Sequence, residues 1–157
     1  MRAILQRVVE ASVTVGPETV GAIGCGLLVL LGIERGDDLE TAAVMAKKLS
    51  EVRCFNDDYG KINCNARAVG GAFLIVSQFT LAGSLARGRR PSFERAAPPE
   101  VARPLVAAVG RALRTRGFET ASGRFGADMR VRMVGDGPVT LVLDVKPPAE
   151  PAGAHIA

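Results

Sequence analysis

Five apolar residues, Ala72-Phe73-Leu74-Ile75-Val76, run without a break into Ser77-Gln78-Phe79-Thr80-Leu81. The run is short, apolar and partly β-branched, so it predicts a core strand rather than a helix. Two hydroxyls and an amide therefore stand where a rigid strand ends, and a fold can hold polar groups still at such a place. A second unusual passage is Gly135-Asp136-Gly137-Pro138-Val139-Thr140-Leu141. The expectation is that these two stretches make one site.

The rest of the chain surrounds that strand with others. Residues 3–9 and 11–15 read as strands, the second with clean alternation, and residues 16–19 as a turn with a short return over 20–23. Residues 25–33 are continuously apolar, as in a strand buried on both faces. Asp37, with Glu40 three residues on, reads as the N-cap of a first helix. Leu39, Ala42, Ala43, Ala46, Leu49 and Val52 give that helix its buried stripe. Residues 56–71 are a polar, Gly-rich connection, and Asn56-Asp57-Asp58 lacks the spacing of a calcium loop. A long loop over 82–99 precedes a second helix, from Pro99 to Arg116, with Val101, Leu105, Val109 and Leu113 inward and Pro104 in an early turn. Short strands are expected at 118–122, 128–134 and 139–145, the last two joined by a Gly137-Pro138 turn. About seven locally paired strands and two helices indicate an α+β fold: a mainly antiparallel, barrel-like sheet with two outer helices. Residues 1–146 form one domain on this reading, and 147–157 a Pro/Ala-rich tail expected to be disordered.

Composition narrows the chemistry. Aromatics are only 4% of the 157 residues, which argues against a platform that stacks several bases. The three cysteines, Cys25, Cys54 and Cys64, form no CxxC, so neither a disulfide framework nor a zinc site is expected, and no other metal or cofactor. No apolar run reaches the roughly 18 residues of a membrane span. The charged N-terminus lacks a cleavage pattern, so a cytoplasmic location is expected. The net charge of +4 hints at a polyanionic partner. The one histidine, His155, lies in the tail, which leaves no candidate for a Ser-His-Asp triad. If the chain is an enzyme, it works without imidazole as base.

Ser77 and Thr80 offer hydroxyls, Gln78 an amide, and Phe79 and Thr80 backbone N–H groups. Such donors suit an ester carbonyl and the oxyanion that forms on attack. No neighbouring base activates either hydroxyl, and the plain alternative is that both merely end a strand. Gly137-Pro138 reads most simply as a trans turn. A cis bond, found in about 5–6% of X-Pro cases, would present two carbonyls in one fixed direction. Both remain open from the residues alone. Arg87, Arg89, Arg90 and Arg95, with Phe93, make the densest basic patch, suited to phosphates or simply a solvated loop. Arg111, Arg114 and Arg116 at the end of the second helix read as dipole compensation ahead of RNA contact.

In order and spacing, Ser77-Gln78-Phe79-Thr80-Leu81, Gly88-Arg89-Arg90-Pro91-Ser92-Phe93, Phe125-Gly126-Ala127-Asp128-Met129 and Gly137-Pro138-Val139-Thr140 resemble the D-aminoacyl-tRNA deacylase family. Gln6-Arg7-Val8 and Gly60-Lys61 to Asn63 fit as well, so the resemblance spans Met1 to about Val145. Gly135 stands where the family commonly has Asn, and Asn65 where Ser is usual. The resemblance implies a homodimer that cleaves the ester between a D-amino acid, or mischarged glycine, and the 3′-terminal adenosine of tRNA. It implies that Ser77, Gln78, Phe79 and Thr80 line the pocket, with Met129 beside them. It implies a cis Gly137-Pro138 that enters the partner's site, holds the substrate's α-amino group and excludes L side chains, its orientation fixed by Arg7. Arg87, Arg89 and Arg90 are the expected tRNA contacts. A non-catalytic RNA-binding module and a hydrolase of small D-amino-acid esters are the alternative readings.

Overall fold

The computed structural model describes residues 1–86 and 88–147, which places Arg87 and most of the expected tail outside the described residues. One long strand, β1 (Arg2–Val15), replaces the two expected separately. On one edge its first half pairs with β3 (Gly26–Gly32) and its second with β2 (Glu18–Ile23). On the other edge β8 (Arg130–Asp144) runs antiparallel along the whole length, and this continuous partner holds the halves in line. β8 likewise joins two segments that were expected to flank a turn.

One end of the sheet is parallel. β6 (Ala72–Ser77) lies between β3 and β7 (Thr120–Ser122), parallel to both, so a largely antiparallel sheet has a parallel end. The sheet curls until β2 approaches β7. A Cβ built on Gly21 would stand 2.5 Å from the Ser122 carbonyl oxygen, so only a bare α-carbon allows the strands this close. The result is the α+β, barrel-like architecture expected.

Period-two alternation gives the sheet two cores. One face packs Leu27, Phe73 and Ile75 against the helices; the inside of the curl holds Val8, Val13, Leu28, Leu74 and Val76. β3 and β6 therefore are apolar at nearly every position, because both their faces are covered. β1 changes allegiance midway. Ala3 and Leu5 face the helical core, whereas Val8, Ala11 and Val13 face the curl.

The helices α1 (Leu39–Glu51) and α2 (Pro99–Thr115) cover the first face. The N-cap of α1 is Asp38, not Asp37: its carboxylate accepts from the Thr41 N–H at 2.8 Å. Asp37 is buried instead. Its Oδ1 accepts from the Met1 ammonium at 2.7 Å and its Oδ2 from the Glu34 N–H at 2.7 Å. The stripe of α1 is Ala42, Met45, Ala46 and Leu49, while Leu39 is 66% exposed. Burying Met45 or Leu49 contributes roughly 1.5–3 kcal/mol each relative to leaving it exposed. In α2 Leu105, Val109 and Leu113 point inward as expected, with Ala102 in place of Val101. Arg116 donates to the Ala112 carbonyl oxygen in the last turn of α2, whereas Arg114 donates to the Thr120 carbonyl oxygen of β7. The polar connection contains a small hairpin, β4 (Phe55–Asn56) with β5 (Ile62–Cys64), whose turn is tied by Asp57 accepting from the Tyr59 and Lys61 N–H groups. No helix among the described residues is long and apolar enough to cross a membrane.

Candidate active site

β6 delivers Ser77 to the end of the sheet, beside Leu31 of β3. The chain then leaves the sheet: the Gln78 N–H still donates to the Leu31 carbonyl oxygen at 2.8 Å, and Phe79–Ala82 close a 3-10 turn. Leu81 N–H bonds back to Gln78 O and Gly83 N–H to Thr80 O. That leaves the first two N–H groups of the turn, on Phe79 and Thr80, without an acceptor among the described residues. The turn sits hard against β3 because Gly32 has no side chain. A Cβ there would lie 2.9 Å from Leu81 Cβ and 3.0 Å from Gln78 O.

The Gln78 side-chain amide donates to Thr80 Oγ1. A hydroxyl that needs to attack a carbonyl must pass its proton to a base, and an amide is none whichever way round it sits. Among the described residues Thr80 has no other side-chain partner.

A cavity of about 540 Å³ opens at this strand end. Ser77 and Gln78 supply its polar edge; Phe79, Phe125, Met129 and Val106 form apolar walls. The size falls within the roughly 300–1,000 Å³ typical of small-molecule sites. The structure thus brings together four of the expected residues: Ser77, Gln78, Phe79 and Met129. Thr80 is exposed and lies outside the lining. Phe79, 59% exposed, stands edge-on to Phe93 of the long loop with ring centres 5.1 Å apart. Arg89 and Arg90 are exposed on that loop. Arg95 Nη2 stands 2.9 Å from Glu34 Oε1, at an angle that makes it a charge contact rather than a hydrogen bond.

Gly137 and Pro138 do not line this cavity. They belong to a bulge in β8: Gln6 pairs with Thr140 and Val8 with Gly135, so four residues oppose Arg7 alone. The Gly137–Pro138 peptide is cis. Arg7, 5% exposed, occupies the gap. Its Nε donates to the Asp136 carbonyl oxygen at 3.2 Å and its Nη1 to the Cys54 carbonyl oxygen at 2.8 Å and Asn56 Oδ1 at 3.2 Å. Burial raises the Cys54 thiol above its ordinary range, with the Arg7 charge opposing. Met129 precedes Arg130, which pairs with Thr14, seven residues along β1 from Arg7. At ~3.3 Å per residue the corner is roughly 20 Å away along the strand from Met129. One chain's corner and one chain's pocket are separate features.

Sequence reasoning missed the wall that α2 contributes through Ala102 and Val106, and missed Cys54 and Asn56 as the anchors of Arg7. Ala102 and Val106 are four apart and offset by one from the core stripe, a signal that was available. A backbone carbonyl such as that of Cys54 leaves no such trace.

The description D-Tyr-tRNA(Tyr) deacylase belongs to the family whose sequence profile matches residues 4–144. A D-aminoacyl-tRNA deacylase of Pelobacter propionicus is 55% identical over 144 residues, covering 92% of this chain and 99% of that protein. One from a Roseiflexus species is 53% identical over 155 residues, covering 99% and 100%. Among solved structures, a c-Myc DNA unwinding element binding protein superposes with a TM-score of 0.87 at 38% identity, over 94% of this chain and 100% of that one. A probable eukaryotic D-amino acid tRNA deacylase shares the fold, with a TM-score of 0.81 at 19% identity over 92% and 98%.

Proposed function

The chain belongs to the D-Tyr-tRNA(Tyr) deacylase family, and we propose that it hydrolyses the ester joining a D-amino acid, or mischarged glycine, to the 3′-terminal adenosine of tRNA. The observation that carries this reading is the cavity that ends on Ser77, Gln78 and Phe79, beside a turn whose first two N–H groups are open. Water adds to the ester carbonyl, the oxygen becomes negative, and the Phe79 and Thr80 N–H groups are the donors suited to it. The carbonyl carbon then parts from the ribose 3′-oxygen, which takes up one of the water's two protons, and the amino acid leaves as a carboxylate with the other proton released to solvent. Gln78 already occupies the Thr80 hydroxyl, and the cavity lining holds no acidic or basic side chain. The neighbouring ribose 2′-hydroxyl is therefore the group that assists attack.

Chirality is read by the Gly137–Pro138 corner of a second copy. The corner's distance from its own cavity supports this arrangement, as does the outer edge of β8, which pairs with nothing else among the described residues. Val134 and Val142 on that strand are 48% and 65% exposed, an apolar rim suited to a twofold partner. Two carbonyls held to one side accept the α-amino group of a D-residue or of glycine and leave no room where an L side chain would project. Rejection of one hand, rather than recognition of a side chain, suits an enzyme that must clear many amino acids. Arg89 and Arg90 face the phosphates of the incoming RNA, in the cytoplasm where charged tRNA is made.

The test is release of amino acid from D-Tyr-tRNA with L-Tyr-tRNA as control. The expected result is rapid cleavage of the first and negligible cleavage of the second. Equal rates would falsify the chiral reading, and no cleavage of either would remove the enzyme.

A further inference from the structure

Resting on that reading, we infer that Arg103 anchors the phosphodiester that precedes the terminal adenosine, and so makes the site prefer polynucleotide esters over nucleoside esters. Arg103 lies on the exposed side of α2, next to Ala102 and three residues before Val106, both part of the cavity wall. Its guanidinium carbon sits 4.8 Å from the centre of the Phe125 ring, and Phe125 is itself part of that wall. The cation is therefore held at the cavity's rim by a face-on aromatic contact, which fixes its plane and leaves its N–H groups outward.

Three other arginines, on segments that also supply or adjoin the wall, have partners of their own. Arg95 is drawn to Glu34, Arg124 donates to Glu18 at 2.8 Å, and Arg35 donates to the Glu94 carbonyl oxygen at 2.8 Å. Arg103 has no carboxylate or carbonyl partner among the described residues. An exposed guanidinium pinned in place and unpaired is a ready bidentate donor for a dianionic or diester phosphate. The cavity behind it carries only neutral polar groups, Ser77 and Gln78, so no part of a D-aminoacyl-adenosine ester calls for a cation there. The first anion of a tRNA 3′ end is the linkage between its last two nucleotides. A substrate whose ester lies at the turn and whose ribose lies at the mouth brings that linkage to the rim.

The experiment compares two esters on the full chain: 3′-D-tyrosyl-adenosine, which has no phosphate, and the 3′-D-tyrosyl ester of the dinucleotide CpA, which has one. Wild type is expected to prefer the dinucleotide about tenfold in kcat/KM, through KM with kcat unchanged. Arg103→Gln keeps a planar group on Phe125 and loses the charge. It is expected to abolish the preference while leaving the nucleoside ester unaffected, and to shrink the salt slope of log kcat/KM by about 0.7 for the lost phosphate contact. Arg103→Lys restores the charge and should recover part of the preference. If Arg103→Gln keeps the wild-type preference and salt slope, or slows both esters equally, the inference is overturned, the second outcome marking a purely structural role. Wild type that cleaves neither ester nor charged tRNA overturns the proposed function itself, and this inference with it.

Discussion

Arg7 grips Asp136 twice, through a hydrogen bond from Nε to the backbone carbonyl oxygen at 3.2 Å and a 3.0 Å ion pair with Oδ2. The arginine is nearly enclosed and the aspartate half-exposed, so the grip fixes the strand rather than the side chain. Arg7→Met should leave the Cys54 and Asp136 carbonyls without this donor, at roughly 1–3 kcal/mol. Thermal unfolding gives that loss. The accompanying kinetic expectation is a fall of at least tenfold in the D-over-L ratio on Tyr-tRNA, since the corner next to Asp136 is no longer fixed. An unaltered ratio in a folded variant removes Arg7 from the selection.

The hydroxyl of Thr80 is the other residue whose role can be separated. Thr80→Ala is expected to keep single-turnover deacylation within about tenfold of wild type, the range for losing one positioned hydrogen-bonding group rather than a nucleophile. A loss of several orders of magnitude, with binding retained, returns Thr80 to the centre of the reaction.

Gly32→Ala tests the turn itself. The added methyl meets Leu81 and the Gln78 carbonyl, so the turn must lift off the sheet. Overpacking of this kind costs about 1–3 kcal/mol. Shifting the two N–H groups by a fraction of an ångström to 1 Å should lower kcat by about 10- to 100-fold. Calorimetry and kcat on the same sample separate the two effects.

Val142→Asp addresses assembly. At 65% exposure on β8 the substitution should alter the fold of one chain by no more than about 0.5 kcal/mol. It is expected to give a monomer by sedimentation and to reduce deacylation of D-Tyr-tRNA sharply. A fully active monomer contradicts the shared site.

The Arg2–Asp144 pair, which ties β1 to β8, should be lost only at low pH. The Arg2 guanidinium, by hydrogen bonds of 2.7 and 3.1 Å and by its charge, holds the Asp144 carboxyl below its ordinary value. The folded form thus binds this proton less readily than the unfolded one. The contribution is complete above the ordinary value of about 3.9 and disappears as pH falls through the lower folded value. Both side chains are partly exposed, so it amounts to less than about 1 kcal/mol. The melting difference between wild type and Asp144→Asn should be seen at pH 7 and vanish once the pH has fallen below the lowered folded value of Asp144.

Local pattern made the core strands and both helices legible, because a strand covered on two faces and a one-sided helix each leave a period in the chain. Ser77 and the turn after it were visible for the same reason: the apolar run stops there. Long-range pairing was not. Whether residues 3–15 make one strand or two depends on β8, more than a hundred residues away, and no local pattern encodes it. The N-cap was placed one residue early because Asp37 and Asp38 satisfy the same local rule, and only the Met1 ammonium, brought in by the fold, distinguishes them. The cis state of Gly137–Pro138 came from the family resemblance, since the residues themselves read most simply as a trans turn.

β6 has a strand on either side of it, whereas β8 has one. On the proposed roles, bond cleavage is thus tied to a strand held on both edges and handedness to one with an open edge. Descendants of such a chain can relax or sharpen their stereochemical tolerance by small changes along an open border. Changes at the hemmed-in strand unmake the architecture first, so the hydrolytic step is the trait a lineage is least free to alter.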